Sequence, residues 1–275
     1  MVWLLLLLML SLLLRAQVTM ETASAACRLF VTAVLPGLFP YMVLSQMLVS
    51  RVKRLSPALV MALGWGGGSP TGARLVRLGC FSRREQVRLL VSCATMSPMF
   101  LLGTLGGWLG SGIAGLVVLA SVIAGGWVTG GIAATRQGEL GIRNSELGME
   151  SVPLKFGEAV EASARTMLLV CGTMVMLRVF AALAGEVLPD WAALPVTTLL
   201  EVTTGAASIA ALPLPLMWRT ALLSGATGFG GAAVIMQNRA VAGGDILPLG
   251  AQIGWQALHG GISFLIALGL MWFIC

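Results

Sequence analysis

Residues 57–80 pose a topological problem. They are apolar enough for a bilayer, yet they contain GWGGGSPTGAR at 64–74 and lie between two basic clusters, RVKR at 51–54 and Arg83, Arg84 and Arg88. Positive residues beside a membrane segment mark its cytoplasmic side, so a segment that crossed would force one cluster through the bilayer. A re-entrant hairpin avoids this. Residues 57–65 make an arm of about 14 Å at about 1.5 Å per residue, which reaches near the midplane. The glycines let the chain turn, and a second arm descends from Pro70.

The rest of the chain supports a bilayer setting. Hydrophobic residues make up 57% and charged residues 10%, against about a quarter charged in soluble domains. Several apolar runs are about 20 residues long, enough to cross a hydrocarbon core as helices. The expected fold is all-α, one polytopic membrane bundle over residues 1–275. The net charge of +6 does not indicate nucleic acid, because eight of the 17 basic residues fall between Arg51 and Arg88, where the positive-inside rule accounts for them. Five scattered cysteines suggest buried thiols rather than disulfides, a metal site or a cofactor. MVWLLLLLMLSLLLRAQ at the start reads as a first helix, about 2–19, or as a cleaved signal.

A second apolar stretch at 29–49 is bent by Pro36, Gly37 and Pro40. Runs at 88–109 and 112–135 follow, and 136–158 is the longest polar stretch, the natural linker between halves. A run at 160–184 leads to an acidic turn suited to the outer face. Then come 192–213, with the lone acid Glu201, a second interrupted segment at 216–243, broken at Gly228–Phe229–Gly230–Gly231, and a last helix over 246–273.

Setting GSPTGA (68–73) against TGFGGA (227–232), an offset of 159, aligns the two breaks. Paired interrupted segments in two halves point to a transporter binding site. Ser69 suits an N-cap and Pro70 a first helical position, so the second arm would begin at mid-depth with unpaired N–H groups facing the centre. An anion or hydrogen-bond acceptor would sit there.

Together with Val34–Leu35–Pro36–Gly37–Leu38–Phe39–Pro40–Tyr41, Ser97–Pro98–Met99–Phe100, Glu201–Val202–Thr203–Thr204–Gly205, Gln237 and Leu258–His259–Gly260, these breaks form an ordered set through most of the chain. In that set the chain resembles the sporulation integral membrane proteins built from nucleoside-recognition, or Gate, domains, which are distantly similar to concentrative nucleoside transporters. The resemblance implies two pseudo-symmetric inverted repeats, 20–135 and 159–275, each holding a re-entrant helical hairpin, joined by a cytoplasmic linker. It implies transport of a small solute: a nucleoside-like molecule or, for the sporulation branch, dipicolinate moving between mother cell and forespore. This sequence departs from the family at Ser69, where an aromatic residue is more usual, at Thr95–Met96, which replace an asparagine-containing stretch, and at Gln256, where a basic residue is usual.

The candidate substrate-binding residues are Ser69, Pro70, Thr71, Gly72, Ser97, Glu201, Thr204, Gly228, Gly230, Gly231, Gln237 and His259. A carboxylate within an apolar run is costly enough to suggest function for Glu201, against a structural pairing with Arg178 or Arg219. His259 is either a proton relay or substrate ligand, or a hydrogen-bonded core histidine. The glycines serve either a backbone break or close helix packing. Gln237 either binds solute or bridges helices, and Arg74 and Arg77 either attract an anion or snorkel. The expected partners are the bilayer, a small-molecule substrate and a coupling ion, sodium or proton, with no nucleic acid, and a homo-oligomer is compatible. The expected location is a cell membrane, crossed several times. Two rivals are a non-transporting scaffold of a sporulation complex and an intramembrane hydrolase using Ser69 and His259; the second is weakened because Pro70 removes an N–H donor.

Overall fold

The computed structural model describes residues 2–136 and 153–274, and all regular structure among them is helical. Most of the linker read at 136–158 lies outside the described residues. Among the described residues, four helices are long and apolar enough to cross a membrane: Ala16–Val49, Gly112–Arg136, Phe156–Gly185 and Leu249–Ile274.

The N-terminal part divides differently from expectation. α1 (Val2–Leu14) stops at Arg15, and α2 (Ala16–Leu29) continues through a π-helical turn (Phe30–Val34) into α3 (Leu35–Val49). The polar patch around Glu21 is therefore inside a helix and not a boundary. Glu21, Ser24 and Arg28 recur at helical spacing and give α2 one polar face, so local polarity did not require a loop. The π-turn widens the backbone just ahead of Pro36, whose ring and missing N–H disfavour regular α geometry there.

α4 (Pro57–Gly67) begins where the Ser56 hydroxyl accepts from Leu59 N and Pro57 takes the first helical position. It ends at Gly68, with φ 65° and ψ −169°, and α5 (Thr71–Leu78) packs back against α4. The break expected at 68–70 is thus present. Its capping is not as expected, because Pro70 itself occupies the N-cap of α5 and Ser69 Oγ caps nothing.

α6 (Arg83–Ser92) opens with a Ser82–Glu85 capping box and ends at Cys93. After a non-helical stretch through Ser97 the chain resumes in a π-helical turn (Met99–Leu105) and α7 (Gly106–Leu109), so the run read as 88–109 is broken in its middle. α8 (Gly112–Arg136) and the 30-residue α9 (Phe156–Gly185) follow.

A break that the sequence reading missed divides 192–213. α10 (Asp190–Leu200) and α11 (Val202–Ala210) are separated by Glu201 in extended geometry (φ −137°, ψ 100°), and they pack against each other. Gly205 permits the close approach, since a Cβ there would collide with Thr198. α12 (Leu216–Phe229) and α13 (Gly231–Ala242) flank Gly230, at φ 78°. They do not fold back as a pair: α12 packs on α8 and α14 (Leu249–Ile274), while α13 packs on α5, α9 and α10.

The order packed pair, then broken helix, therefore occurs twice: α4–α5 then α6–α7, and α10–α11 then α12–α13. In this order Gly72 corresponds to Gly205 and Ser97 to Gly230, an offset of 133 rather than 159. The glycine-rich strings at 68–73 and 227–232 look alike but fall in different parts of that order, which a match of composition does not distinguish.

Each pair presses its tip on the following break. A Cβ on Gly68 would collide with Ser97 N, and one on Gly231 would lie 3.1 Å from Thr198 O and 3.4 Å from Val202 N. At one end of the bundle Leu154 N donates to Ser50 Oγ at 3.0 Å, and at the other Arg15 pairs with Glu186 at 3.0 Å. Hence α9 runs antiparallel to α2–α3. Asp245 meets Arg77 at 3.4 Å, which sets the turn after α13 beside α5. Among the cysteines, Cys93 is buried as expected, whereas Cys27 and Cys80 are exposed.

Candidate functional site

Three of the four breaks, together with the helix that follows the fourth, contribute to one cavity. Ser69 comes from the first pair, Met96 and Ser97 from the α6–α7 break, Glu201 and Thr203 from the second pair, and Ala233 and Gln237 from α13. Leu38 of α3 and Met174 of α9 close its sides. The cavity is small, ≈ 40 Å³, room for about three waters at about 10–15 Å³ each.

Glu201 is its chemical centre. The carboxylate is 1% exposed, and both oxygens cap α11: Oε1 accepts from Thr203 N at 2.9 Å, and Oε2 accepts from Thr204 N at 2.7 Å and from Thr204 Oγ1 at 2.6 Å. Charge-assisted bonds to a helix amino end stabilise a buried carboxylate without a cation in contact. Neither basic candidate forms a salt bridge with it. Arg219 donates to Ala210 O at 2.8 Å, while Arg178 lies within electrostatic reach of Glu201. The motif Glu–x–Thr–Thr–Gly was the legible signal for this cap: an acceptor followed by two residues whose amides begin a helix.

The expectation of bare amide ends needs correction. At α11 they are taken by Glu201, and at α5 Gly68 O accepts from Thr71 N at 2.8 Å and from Gly72 N at 3.4 Å. What faces the cavity instead is side-chain oxygen. Ser69 Oγ is buried with no partner among the described residues, while Ser97 Oγ accepts from Phe100 N at 3.3 Å and so caps the resumed helix. Gln237 Nε2 donates to Thr173 Oγ1 at 2.8 Å and ties α13 to α9, so it bridges helices and also borders the cavity.

Other expected site residues lie elsewhere. Pro70, Thr71 and Gly72 support the tip of the first pair, with Gly72 packed against Cys93 and Gly64. Gly230 and Gly231 form the last break beside Thr198 and Val202, and Gly228 packs on Gly260 of α14. Thr204 faces away from the cavity into an outer cleft. His259 is completely buried where α14 crosses α8, and its Nε2 lies 2.8 Å from Val122 O. Gly125 and Gly126 make room for the ring, since a Cβ on either would approach it to 3.1–3.2 Å. His259 is thus held in the core through Nε2, while its Nδ1 is buried without a partner among the described residues. Ser69 Oγ has no partner, so the serine–histidine contact that a hydrolase would use is not formed. Replacing His259 with alanine is expected to lower stability by about 1–3 kcal/mol through the lost bond and the void. Solute affinity per folded molecule should not change, which melting and binding measured on one preparation would check.

Leu38, Met96 and Thr203 of the cavity wall lie in stretches quoted for the resemblance without being named as site residues, and Met174 lies outside those stretches. Pro36 and Pro40 hinted at a special role for α3, but nothing local announced Met174.

The fold and this site define a class: a helical membrane protein whose interrupted helices converge on a buried, carboxylate-bearing cavity. No protein-family model, curated protein or solved structure matches the chain.

Proposed function

We propose that the protein is a membrane transporter of a small polar or anionic solute, a dipicolinate-like aromatic carboxylate or a nucleoside-like molecule, with sodium or a proton as coupling ion. It is built as two inverted repeats whose re-entrant pairs are α4–α5 and α10–α11. One observation carries this reading: three separate chain breaks and the helix after a fourth meet at one cavity, largely apolar, that holds the buried Glu201 carboxylate. Breaks at membrane depth are tolerated where they line such a cavity, because their freed backbone groups need partners that lipid does not supply. The inverted relation is supported by direction. α4 begins close after α3 at the Ser50 end, whereas α10 follows α9, a helix of 30 residues that starts at that end and leads away from it.

At ≈ 40 Å³ the cavity suits an ion or waters and corresponds to a closed state. Transport would therefore require the pairs to part from the breaks they press on. Reconstitution into liposomes tests the reading, with uptake of nucleosides and aromatic carboxylates followed under sodium or proton gradients. Uptake of one class above protein-free liposomes is expected. Absence of uptake for every solute, together with a stable co-purifying protein, would favour the scaffold.

A further inference from the structure

A second opening, larger than the cavity, lies between α2, α9 and α11. It is a cleft of ≈ 870 Å³ that includes Glu21, Ser24, Arg28, Arg178, Thr204 and Ser208 in its walls. We propose that this cleft is an anion-binding vestibule, in which Arg28 and Arg178 hold a carboxylate or phosphate group of the solute outside Glu201. The assignment rests on the transporter reading and supplies the place where a solute too large for the closed cavity would bind.

Depth comes first. The Arg15–Glu186 pair sets the starts of α2 and the end of α9 level. At about 1.5 Å per residue, Arg28 is about 20 Å and Arg178 about 12 Å along from that end. Both residues thus line the cleft at bilayer depth, where a cation facing lipid is costly and one facing a water-filled cleft is not. The walls fit water: Glu21, Ser24 and Arg28 follow one face of α2, and Thr204 and Ser208 are one turn apart on α11.

Charge comes second. Among the described residues, neither Arg28 nor Arg178 has a carboxylate within salt-bridge distance. Glu21, the acid in the cleft wall, is about 10 Å along α2 from Arg28 and accepts from Gln17 at 2.9 Å. Glu201 has both oxygens engaged in capping and reaches Arg178 only through space. Two guanidinium groups facing one wet cleft suit an oxyanion, which each can bind through two N–H bonds.

Thr204 connects this cleft to the cavity. It borders the cleft, while its hydroxyl and amide hold the carboxylate that borders the cavity. An anion at Arg178 is thus one residue from the cavity wall, and the volume lies within the roughly 300–1,000 Å³ usual for small-molecule sites.

The test uses the full-length protein in nanodiscs of zwitterionic lipid, with isophthalate and inorganic phosphate as probes and thermal stabilisation as readout. Isophthalate should raise the melting temperature by several degrees at millimolar concentration, and the effect should weaken with salt. Arg28→Gln and Arg178→Gln should each weaken apparent affinity by about tenfold or more, and Arg178→Lys by less, since it keeps charge without the two-pronged geometry. Arg165→Gln, on α9 outside the cleft and paired only with Glu161 of the same helix, should bind as wild type does. If Arg178→Gln does not fold, Arg28→Gln and Arg178→Lys carry the comparison. Equal affinity in wild type and both cleft variants would overturn the proposal. So would stabilisation by phosphatidylglycerol nanodiscs that neither soluble anion can compete away, which would make a lipid headgroup the occupant. Arginine-dependent binding without liposome uptake would retain the site and reject transport, whereas uptake indifferent to both arginines would do the reverse.

Discussion

Gly68→Ala is expected to destabilise the protein by about 3 kcal/mol or more. Two costs add at this residue. Its backbone, at φ 65° and ψ −169°, lies in a region that only glycine occupies readily, and placing another residue there costs about 1–3 kcal/mol. A Cβ would also strike Ser97 N and come within 2.7 Å of Met96 C, and these are backbone atoms that cannot rotate aside. Overpacking of this kind adds about 1–3 kcal/mol. Against a total stability of about 5–15 kcal/mol, the loss should be plain in a melt of the purified protein, and much of the chain should appear aggregated by size exclusion. Gly103→Ala is the matched control, because a Cβ there meets nothing within 4 Å; its effect should stay within about 0.5 kcal/mol. If both variants melt with wild type, the contact between the first pair's tip and the α6–α7 break is wrong.

Glu201 should show the largest effect on activity. Glu201→Ala removes all three capping bonds and should cost about 1–2 kcal/mol of stability. Glu201→Gln keeps the shape and one acceptor oxygen but turns an NH₂ toward groups that are themselves donors. The loss of one charge-assisted bond, about 1.5–3 kcal/mol, would lower flux by about tenfold or more if that bond orders the cavity wall. Comparing flux per folded molecule in wild type, Glu201→Gln and Glu201→Ala separates the two consequences. Undiminished flux in Glu201→Gln would reduce Glu201 to a helix cap and remove it from the transport site.

Local grammar made part of this site legible. Ser56–Pro57 starts a helix and Gly66–Gly67–Gly68 ends it, since hydroxyl capping, a fixed proline φ and a glycine stop act within a turn of the chain. The same grammar was present at Glu201–Val202–Thr203–Thr204–Gly205. There the surrounding apolar run suggested one continuous helix and concealed the cap, and a burial cost was read where a hydrogen-bonding role also existed. The similarity of the strings at 68–73 and 227–232 misled for a different reason. Glycine clusters mark a bend without stating whether the chain then folds back, as α5 does, or leaves for other neighbours, as α13 does.

His259 and Arg178 mark the limit of such reading. Each is a polar residue in an apolar helix, and the sequence offered His259 as a functional candidate but Arg178 only as a structural partner for Glu201. In the folded chain His259 points into the α8 crossing and finds Val122 O, while Arg178 faces a cleft shared with α2 and α11. No local pattern separates them, because the groups they meet are 137 residues away in one case and on α2 and α11 in the other.

By itself the amino-acid sequence determined the bilayer-compatible character of the chain, its helical class and the interruption at 68–70. Apolar run length and a backbone that must hydrogen-bond to itself leave few alternatives in lipid. Tertiary structure alone decided that three breaks and α13 share one cavity, that Glu201 closes the amino end of α11, and that two arginines from α2 and α9 face the same cleft. These outcomes depend on which helix faces pack together, and that choice is made by the summed burial and close approach of segments far apart in the chain.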